Sequence, residues 1–327
     1  MKKVIKQQML QAASWGGLFF IARHLTRRRF RIFAYHGVSA AIDPRLNFDG
    51  FFVSPEVFEI HLQTLQAQYH VMPLADMVEQ LAAGHALPPR AAAITFDDGY
   101  ADNATVAAPL LAKYGLPATF FITTGFIDGT STPWWFEIRA AGFELRDSQW
   151  FMDVEQRLKN MSSAERQEEL AILLSRIPNA VSRIPDIESR IPHRESRIPS
   201  FMSWDHLREL LAQGHDIGAH TVSHISLGHE ANSVIEDEIR RSLDRIRSEL
   251  GTVSPVYSYP YGEPAHFTDA LGSMLKRHGC LAGVTTVEGM NAEGDDPFLW
   301  RRLNVTGNHD HNAFRALASG LTHLIKK

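Results

Sequence analysis

The sequence predicts an α/β protein in which parallel strands close into a barrel. From Phe30 onward, short apolar runs alternate with stretches of helical periodicity, and this alternation is typical of a parallel sheet. Polar residues follow several of these runs directly, as expected where a site lies at the carboxyl ends of barrel strands. The length of 327 residues fits one such barrel with a long insertion, although it would also fit two smaller domains.

The individual elements follow from this alternation. Strands are expected at 31–35, 91–96, 118–122, 216–219, 256–259, 281–285 and 302–305. A helix begins after Ser54, whose side chain can cap it, with Pro55 in the first turn. A second helix runs from the Asp-Asp-Gly turn to Tyr114. A third spans 233–250, where Ser233 and the Glu three residues later have the spacing of a capping box.

Composition and charge narrow the function classes. The chain is 44% hydrophobic and 21% charged, which is ordinary for a globular protein. Its single cysteine, Cys280, excludes an intramolecular disulfide and a cysteine-rich zinc site. A net charge of −4 and a pI near 6.5 argue against a nucleic-acid partner. The lone thiol favours the cytoplasm but is also compatible with the periplasm.

The order of basic and apolar residues over 1–29 predicts a basic amphipathic helix ahead of the catalytic domain at 30–327. Its apolar part is shorter than the about 20 residues that cross a bilayer, and no good signal-peptide cleavage site follows. Two interpretations stay open. Either the helix packs on the domain, or it makes a peripheral contact with the inner membrane and inserts Trp15, Phe19 and Phe20.

Between about 126 and 200 the alternation breaks, which predicts a long insertion. It contains a charged helix from about Asp153 to Leu174, and then four copies of Ser-Arg-Ile-Pro. The copies begin at Ser175, Ser182, Ser189 and Ser196. A proline in every copy excludes a heptad helix. A surface segment made by tandem duplication is the favoured explanation, and a basic flap that faces an anionic ligand is the alternative.

The first motif with chemical content is Thr95-Phe-Asp-Asp-Gly-Tyr100, at the end of a predicted strand. Two adjacent carboxylates are costly to hold together unless positive charge lies beside them, and a divalent metal provides it. One carboxylate can bind the metal while its neighbour acts as a base. The alternative is a simple turn that closes the strand.

The second motif is His220-Thr-Val-Ser-His224. Two histidines four residues apart lie on one side of a helical turn and can share a metal, and neutral imidazole suits zinc, cobalt or nickel. One Asp and two His leave coordination positions open, which is typical of a catalytic site. The alternative is that they are ordinary loop residues, since His215 and His229 also lie nearby in the sequence.

The third motif is Ser258-Tyr-Pro-Tyr-Gly262. A strand that ends in Pro260-Tyr-Gly262 places a turn at the same end of the sheet, and its free backbone amides can form an oxyanion hole. Taken alone, this motif is better explained as a turn that ends a strand.

In this order, the three motifs resemble those of the polysaccharide deacetylase family, which is carbohydrate esterase family 4 or the NodB homology domain. Tyr35-His-Gly37 and Ser54-Pro-Glu-Val-Phe58 resemble its polysaccharide-export branch, which has Tyr-Pro-Tyr-Gly as the third motif. The resemblance covers about residues 30–305, apart from the insertion. It implies a distorted (β/α) barrel of the NodB type.

The resemblance also implies a function and roles for single residues. The expected activity is metal-dependent removal of N-acetyl groups from a polysaccharide or glycan, with zinc favoured and cobalt or nickel as alternatives. The implied roles are Asp97 as base, Asp98, His220 and His224 as metal ligands, the Tyr261 amide as oxyanion donor, and Tyr100, Pro260 and His36 in substrate binding. One alternative is a deacetylase of a lipid-linked or cell-envelope sugar (N- or O-acetyl). Another is an inactive carbohydrate-binding protein, which the presence of both aspartates disfavours.

Two departures from the family pattern matter. Ser258 stands where much of the family has an arginine that orients the base. Arg302 resembles the replacement used by the branch with Tyr-Pro-Tyr-Gly, so we expect it beside Asp97. Arg301 should then point away, because side chains alternate along a strand. The alternative is that both arginines are surface residues. The family's late catalytic-acid histidine has no clear match, and the candidates are His309, His311 and His323.

Overall fold

Seven parallel strands form a closed barrel in the computed structural model, which describes residues 12–13, 16–40, 47, 50–145, 148–176 and 200–325. The described residues contain ten strands, of which β2 and β3 form a separate pair and β4 pairs only with β5: β1 (Arg31–Tyr35), β2 (Gly37–Val38), β3 (Phe52–Val53), β4 (His70–Val71), β5 (Ala91–Phe96), β6 (Thr119–Ile122), β7 (Asp216–Ala219), β8 (Val256–Ser258), β9 (Ala282–Glu288) and β10 (Trp300–Asn304). Around the barrel the order is β1-β10-β9-β8-β7-β6-β5, and β5 pairs with β1 to close it. The predicted α/β barrel is therefore confirmed.

Helices surround the barrel. They are α1 (Leu18–Leu25), α2 (Pro55–Gln68), α3 (Leu74–Ala82), α4 (Ala108–Tyr114), α5 (Thr124–Ile127), α6 (Trp134–Leu145), α7 (Ser148–Lys159), α8 (Ser163–Ser175), α9 (Trp204–Ala212), α10 (Asn232–Leu250), α11 (Leu271–Arg277), α12 (His311–Ser319) and α13 (Leu321–Ile325). A π-helical segment, Asn103–Ala107, leads into α4. Ser54 caps α2 and Pro55 occupies its first turn, as predicted.

Side-chain alternation along β5 explains why the residue that follows the strand points into the barrel. Ile94 and Phe96 pack outward against the helices, while Ala91 and Ala93 belong to the core inside the barrel. Side chains two residues apart share one face of a strand, so the residue after Phe96, Asp97, points into the barrel.

Two local predictions were wrong. Ser233 and Glu236 do not form a capping box, because α10 begins one residue earlier with Ala231 at its cap, and Glu236 pairs instead with Arg277 and His278. The single charged helix predicted from Asp153 to Leu174 is two helices, α7 and α8. The chain breaks between them where Ser162 caps α8 in a capping box with Glu165.

At the amino terminus, α1 packs on the domain. Phe19 and Ala22 are buried, and α1 contacts α12 and α13. Phe19 is therefore part of the protein core and not an inserting residue, whereas Phe20 is exposed. Trp15, residues 1–11 and most of the Ser-Arg-Ile-Pro repeat (177–199) lie outside the described residues. No helix in the described part of the chain is long and apolar enough to cross a membrane.

Candidate active site

All three sequence motifs meet at the carboxyl end of the barrel. Asp97 and Asp98 follow β5, His220 follows β7, and the Tyr-Pro-Tyr-Gly turn follows β8. They line a cavity of about 300 Å³. This is the end of a parallel barrel at which loops from successive strands converge, so residues far apart in sequence become neighbours.

Asp98, His220 and His224 converge on one point, as predicted. The Nε2 atoms of the two histidines lie 3.5 Å and 3.2 Å from the same carboxylate oxygen, Asp98 Oδ1, and one ligand atom from each residue lies within 4.8 Å of the others. All three side chains are buried. Three buried donors, two imidazoles and one carboxylate, form the set expected for zinc or a similar divalent cation.

The surroundings of these residues test whether a cation fits. Asp98 Oδ1 is buried, yet it has no hydrogen-bond donor in the described part of the chain. His220 donates from Nδ1 to the carbonyl of Ser258 at 2.9 Å, which leaves Nε2 as the free ligand atom. Burial lowers the pKa of His220 to about 4 and that of His224 to about 3, so both rings are neutral near pH 7. The residues present therefore fit a divalent metal.

The loop that carries the histidines is not the helical turn that the spacing suggested. Thr221 and His224 have positive φ angles of 66° and 53°, and the His224 N–H donates to Thr221 Oγ1 at 2.8 Å. Glu238 of α10 holds the tip of this loop, because its carboxylate accepts from the backbone N–H groups of Val222 and Ser223 at 2.7 and 3.0 Å. No signal in the sequence marks Glu238, since its role depends on how α10 packs.

We expect Glu238→Gln to weaken metal binding by about 10- to 100-fold, as is common when a residue that orients metal ligands is lost. Both N–H groups donate to the same carboxylate oxygen, Oε2, and the amide oxygen of glutamine is a weaker acceptor because it carries no negative charge. Zinc titration with a competing chelator measures the change. Asp237→Asn on the exposed side of the same helix is the matched control. Unchanged zinc affinity in Glu238→Gln would refute the assignment.

Arg302 pairs with Asp97, and Arg301 faces outward. Arg302 donates from both terminal nitrogens to the two carboxylate oxygens of Asp97, at 2.8 and 2.6 Å, and both side chains are almost fully buried. Burial alone would raise the pKa of Asp97, but the Arg302 guanidinium outweighs this effect and holds that pKa well below its usual range. Thr285 and Thr95 accept further hydrogen bonds from the guanidinium.

Backbone strain in the described chain concentrates at this site. Five residues other than glycine have positive φ angles. Four of them are Asp98, Thr221, His224 and Tyr261, and only Arg90 lies elsewhere. A left-handed conformation costs free energy for a residue with a side chain, and such strain typically clusters where geometry serves function.

Tyr261 occupies a tight turn at the rim of the cavity. The Gly262 N–H donates to the Pro260 carbonyl at 2.7 Å, which bends the chain sharply at Tyr261. Within the described residues, the Tyr261 amide donates no backbone or side-chain hydrogen bond. Trp134 donates to the Tyr261 hydroxyl at 3.0 Å. An amide of this kind can donate to a developing oxyanion.

The insertion forms one wall of the cavity, which the sequence did not predict. Helices α6 and α7 contribute Trp135, Arg139, Glu155 and Lys159 to the lining. The Trp135 ring lies 4.8 Å from the His224 ring. Lys159 pairs with Glu155 at 2.8 Å. The insertion therefore shapes the space beside the candidate metal ligands.

The three residues predicted to bind substrate differ in position. His36 lines the cavity and packs on the Phe51 ring, with ring centroids 3.9 Å apart. Tyr100 does not line it, because its side chain is fully buried among aromatic rings that include Phe52 and Phe201. Pro260 is also buried behind the turn. Tyr100 and Pro260 therefore do not line the cavity, and their contact with substrate stays a prediction.

None of the three late histidines lines the cavity. His309 uses its ring nitrogen to bond Thr306. His311 is exposed at the start of α12, and His323 lies in α13 at the other end of the barrel. Besides the candidate ligands His220 and His224, the residues described as lining the cavity include one further histidine, His36.

The fold and site together define an α/β-barrel protein with a candidate divalent-metal centre at the carboxyl ends of its strands. The chain belongs to the polysaccharide deacetylase family, because the model of that family matches residues 84–283. Comparison with the sequences of curated proteins finds no significant match.

Solved structures share the fold. Deacetylase PplD of Streptococcus pyogenes, in complex with acetate, superposes with a TM-score of 0.61 at 18% identity, covering 87% of this chain and 96% of its own. IcaB from Ammonifex degensii gives 0.58 at 18% identity, with 89% and 97% covered. A de-N-acetylase from Aggregatibacter actinomycetemcomitans gives 0.56 at 18% identity, with 88% and 99% covered. Each matched chain is covered almost completely, so the whole barrel is common to them.

Proposed function

We propose that this protein is a metal-dependent hydrolase that removes N-acetyl groups from a polysaccharide. The observation that carries the proposal is the buried cluster of Asp98, His220 and His224 directly beside the Asp97–Arg302 pair. Membership of the polysaccharide deacetylase family supports the substrate class. The de-N-acetylase among the similar structures favours the amide over the ester.

Asp98, His220 and His224 would hold the cation, and zinc fits their donor set best, with cobalt and nickel as alternatives. A bound divalent cation would polarise the acetyl carbonyl and lower the pKa of the attacking water. Trp135 and Tyr261 line the cavity beside these three residues, where a substrate would approach the cation.

Asp97 is assigned as the general base. It stays ionised across the working pH range, because Arg302 lowers its pKa and binds both of its oxygens. The same bidentate pair fixes the direction of the carboxylate, which accepts the proton from water as it attacks the acetyl carbon. The Tyr261 N–H donates to the oxyanion that forms on the acetyl oxygen.

His36 is assigned as the acid that protonates the departing amine. It lines the same cavity as Asp97 and Asp98, and its ring is held against Phe51. Burial lowers the pKa of His36, while the negative charges of Asp98 and Asp97 oppose that shift. An amine is a poor leaving group unless it is protonated, so the amide reaction depends on this proton.

We expect His36→Gln to lower kcat for N-acetyl substrates by about 10²- to 10⁴-fold with little change in KM. Hydrolysis of 4-nitrophenyl acetate should fall much less, because its leaving group needs no protonation. Phe51→Leu serves as the control for packing around the ring. Equal losses on the amide and the aryl ester would show that His36 does not act as the acid.

Acetate release tests the proposal directly. Purified protein loaded with zinc, cobalt or nickel is incubated with N-acetylated polysaccharides, with O-acetylated glycans and with lipid-linked N-acetyl sugars. The proposal predicts metal-dependent release from the N-acetylated polymer. Release from the lipid-linked sugar alone would favour that alternative. Binding without release from any of them would support an inactive carbohydrate-binding protein.

A further inference from the structure

The outward face of α1 is apolar. Phe19 and Ala22 face the protein, whereas Phe20 (66% exposed), Ile21 (50%) and Leu25 (67%) face outward together with Leu18. A helix on the surface of a globular protein normally turns polar residues to water. The solvent-facing side of α1 is therefore apolar, which is unusual for a helix that contacts only water.

The neighbouring helix α13 extends this surface. It packs against α1, and Leu324 (40% exposed) and Ile325 (74%) project from it. We use the term basal patch for the exposed apolar residues of the two helices together with the arginines within α1 and directly after it. These residues are Leu18, Phe20, Ile21, Leu25, Leu324 and Ile325, with Arg23, Arg27 and Arg28.

Positive charge surrounds the basal patch although the chain is acidic. Residues 1–42 contain eight of the 33 Lys and Arg residues and none of the 37 Asp and Glu, so the remaining residues have 25 basic against 37 acidic side chains. A cavity of about 250 Å³ beside α1 is lined by Phe20, Arg23, His24, Arg27, Pro89 and Arg90. Within the described chain no carboxylate pairs with Arg23, Arg27 or Arg90.

The basal patch lies at the opposite end of the barrel from the cavity that holds Asp97. The Arg90 N–H donates to the carbonyl of Arg27 at 2.7 Å, and Arg90 directly precedes β5. Asp97 directly follows β5. Six strand residues span about 20 Å, so the two surfaces face opposite directions along the barrel axis.

We propose that the basal patch binds the surface of a membrane that contains anionic lipids. The apolar side chains enter the interface, and the arginines meet the phosphate headgroups. A second copy of the chain fits less well, because a symmetric contact would set one arginine cluster against the other. On the proposed function, this attachment turns the cavity away from the bilayer. The enzyme then acts on glycan that reaches it from solution.

Co-sedimentation with vesicles tests the binding. We expect the full chain to sediment with phosphatidylcholine vesicles that contain phosphatidylglycerol, and to sediment much less with phosphatidylcholine alone or at high salt. The double variant Phe20→Glu, Leu25→Glu should lower the partition coefficient at least about tenfold, since each apolar side chain loses its burial. The matched control is Ile172→Glu, Val234→Glu, which makes the same change at exposed apolar residues on α8 and α10.

Several results would overturn the proposal. They are absence of wild-type binding to the anionic vesicles, an equal loss in the control variant, or a dimer in solution that Phe20→Glu, Leu25→Glu dissociates. The orientation has its own test, because vesicle-bound enzyme should retain its activity on a soluble N-acetylated oligosaccharide, and loss on binding would contradict it. Sedimentation needs no turnover, so its outcome is independent of whether the deacetylase assignment holds.

Discussion

Asp97→Asn is expected to lower turnover by about 10³-fold or more while the protein still binds its metal. The substitution removes the base but leaves Asp98, His220 and His224 in place. Asparagine keeps the shape of the side chain, so the cavity does not change size. Turnover is measured by acetate release, and metal content by elemental analysis of the same preparation.

The substitution has a second effect, because the buried guanidinium of Arg302 loses its negatively charged partner. Leaving one member of a buried pair unmatched costs about 3–5 kcal/mol of folding free energy. Denaturant unfolding of Asp97→Asn therefore has to accompany the assay. Ser258→Ala removes only the long hydrogen bond from the Ser258 hydroxyl to Asp97 (3.3 Å) and should have a small effect on both quantities. Loss of metal from folded Asp97→Asn would mean that the base and ligand roles are wrongly divided.

The barrel and the position of its site could be predicted because the signals are local. Each strand is a short apolar run between turn residues, and Asp97, Asp98 and His220 follow such runs directly. Parallel strands then bring those ends together whatever the sequence separation. Arg302 was predicted from the resemblance to the Tyr-Pro-Tyr-Gly branch, and strand alternation added that Arg301 and Arg302 face opposite ways.

The features of the site that could not be predicted from the sequence depend on tertiary packing. Glu238 holds the histidine loop from α10, and nothing in the sequence around it distinguishes it from the other acidic residues of that helix. The wall formed by Trp135 and Lys159 depends on how the insertion folds back over the barrel mouth. Tyr100 lies only two residues from a candidate ligand, yet it is buried, because proximity in sequence does not set the direction of a side chain.

The arrangement of the two surfaces follows from chain direction. In a parallel barrel every strand begins at one end and finishes at the other, so the segments before the strands and those after them are separated by the strand length. The arginines of the basal patch precede β1, and the candidate metal ligands follow β5 and β7. The basic segment that precedes β1 therefore lies at the end of the barrel opposite the candidate metal ligands.

Arg302→Met is expected to lower turnover by at least about 10²-fold with metal content unchanged, since Arg302 contacts the base and not the ligands. Methionine fills much of the volume without the charge. Arg301→Met is the matched control, because Arg301 is the next residue on the same strand and is exposed. It should leave turnover and stability near those of the wild type.

The pH dependence of Arg302→Met provides a second, independent measurement. In the wild type Arg302 holds the pKa of Asp97 below its unfolded value of 3.8, so the pair stabilises the fold above that pH and its contribution is lost as the pH falls further. Without Arg302, burial raises the pKa of Asp97. The stability deficit of the variant should then be greatest near neutral pH, about 3–5 kcal/mol, and shrink as the pH falls and Asp97 is protonated.

The kinetic counterpart is a shift of the acid limb of kcat/KM to higher pH, because the base of Arg302→Met takes up its proton more readily. Arg302→Lys restores one positive charge without the bidentate geometry and should give an intermediate limb with turnover still reduced. That result would separate the electrostatic part of the role from the orienting part. A deficit that does not change between pH 3 and 7, together with an unshifted limb, would mean that Arg302 only fills space in the barrel.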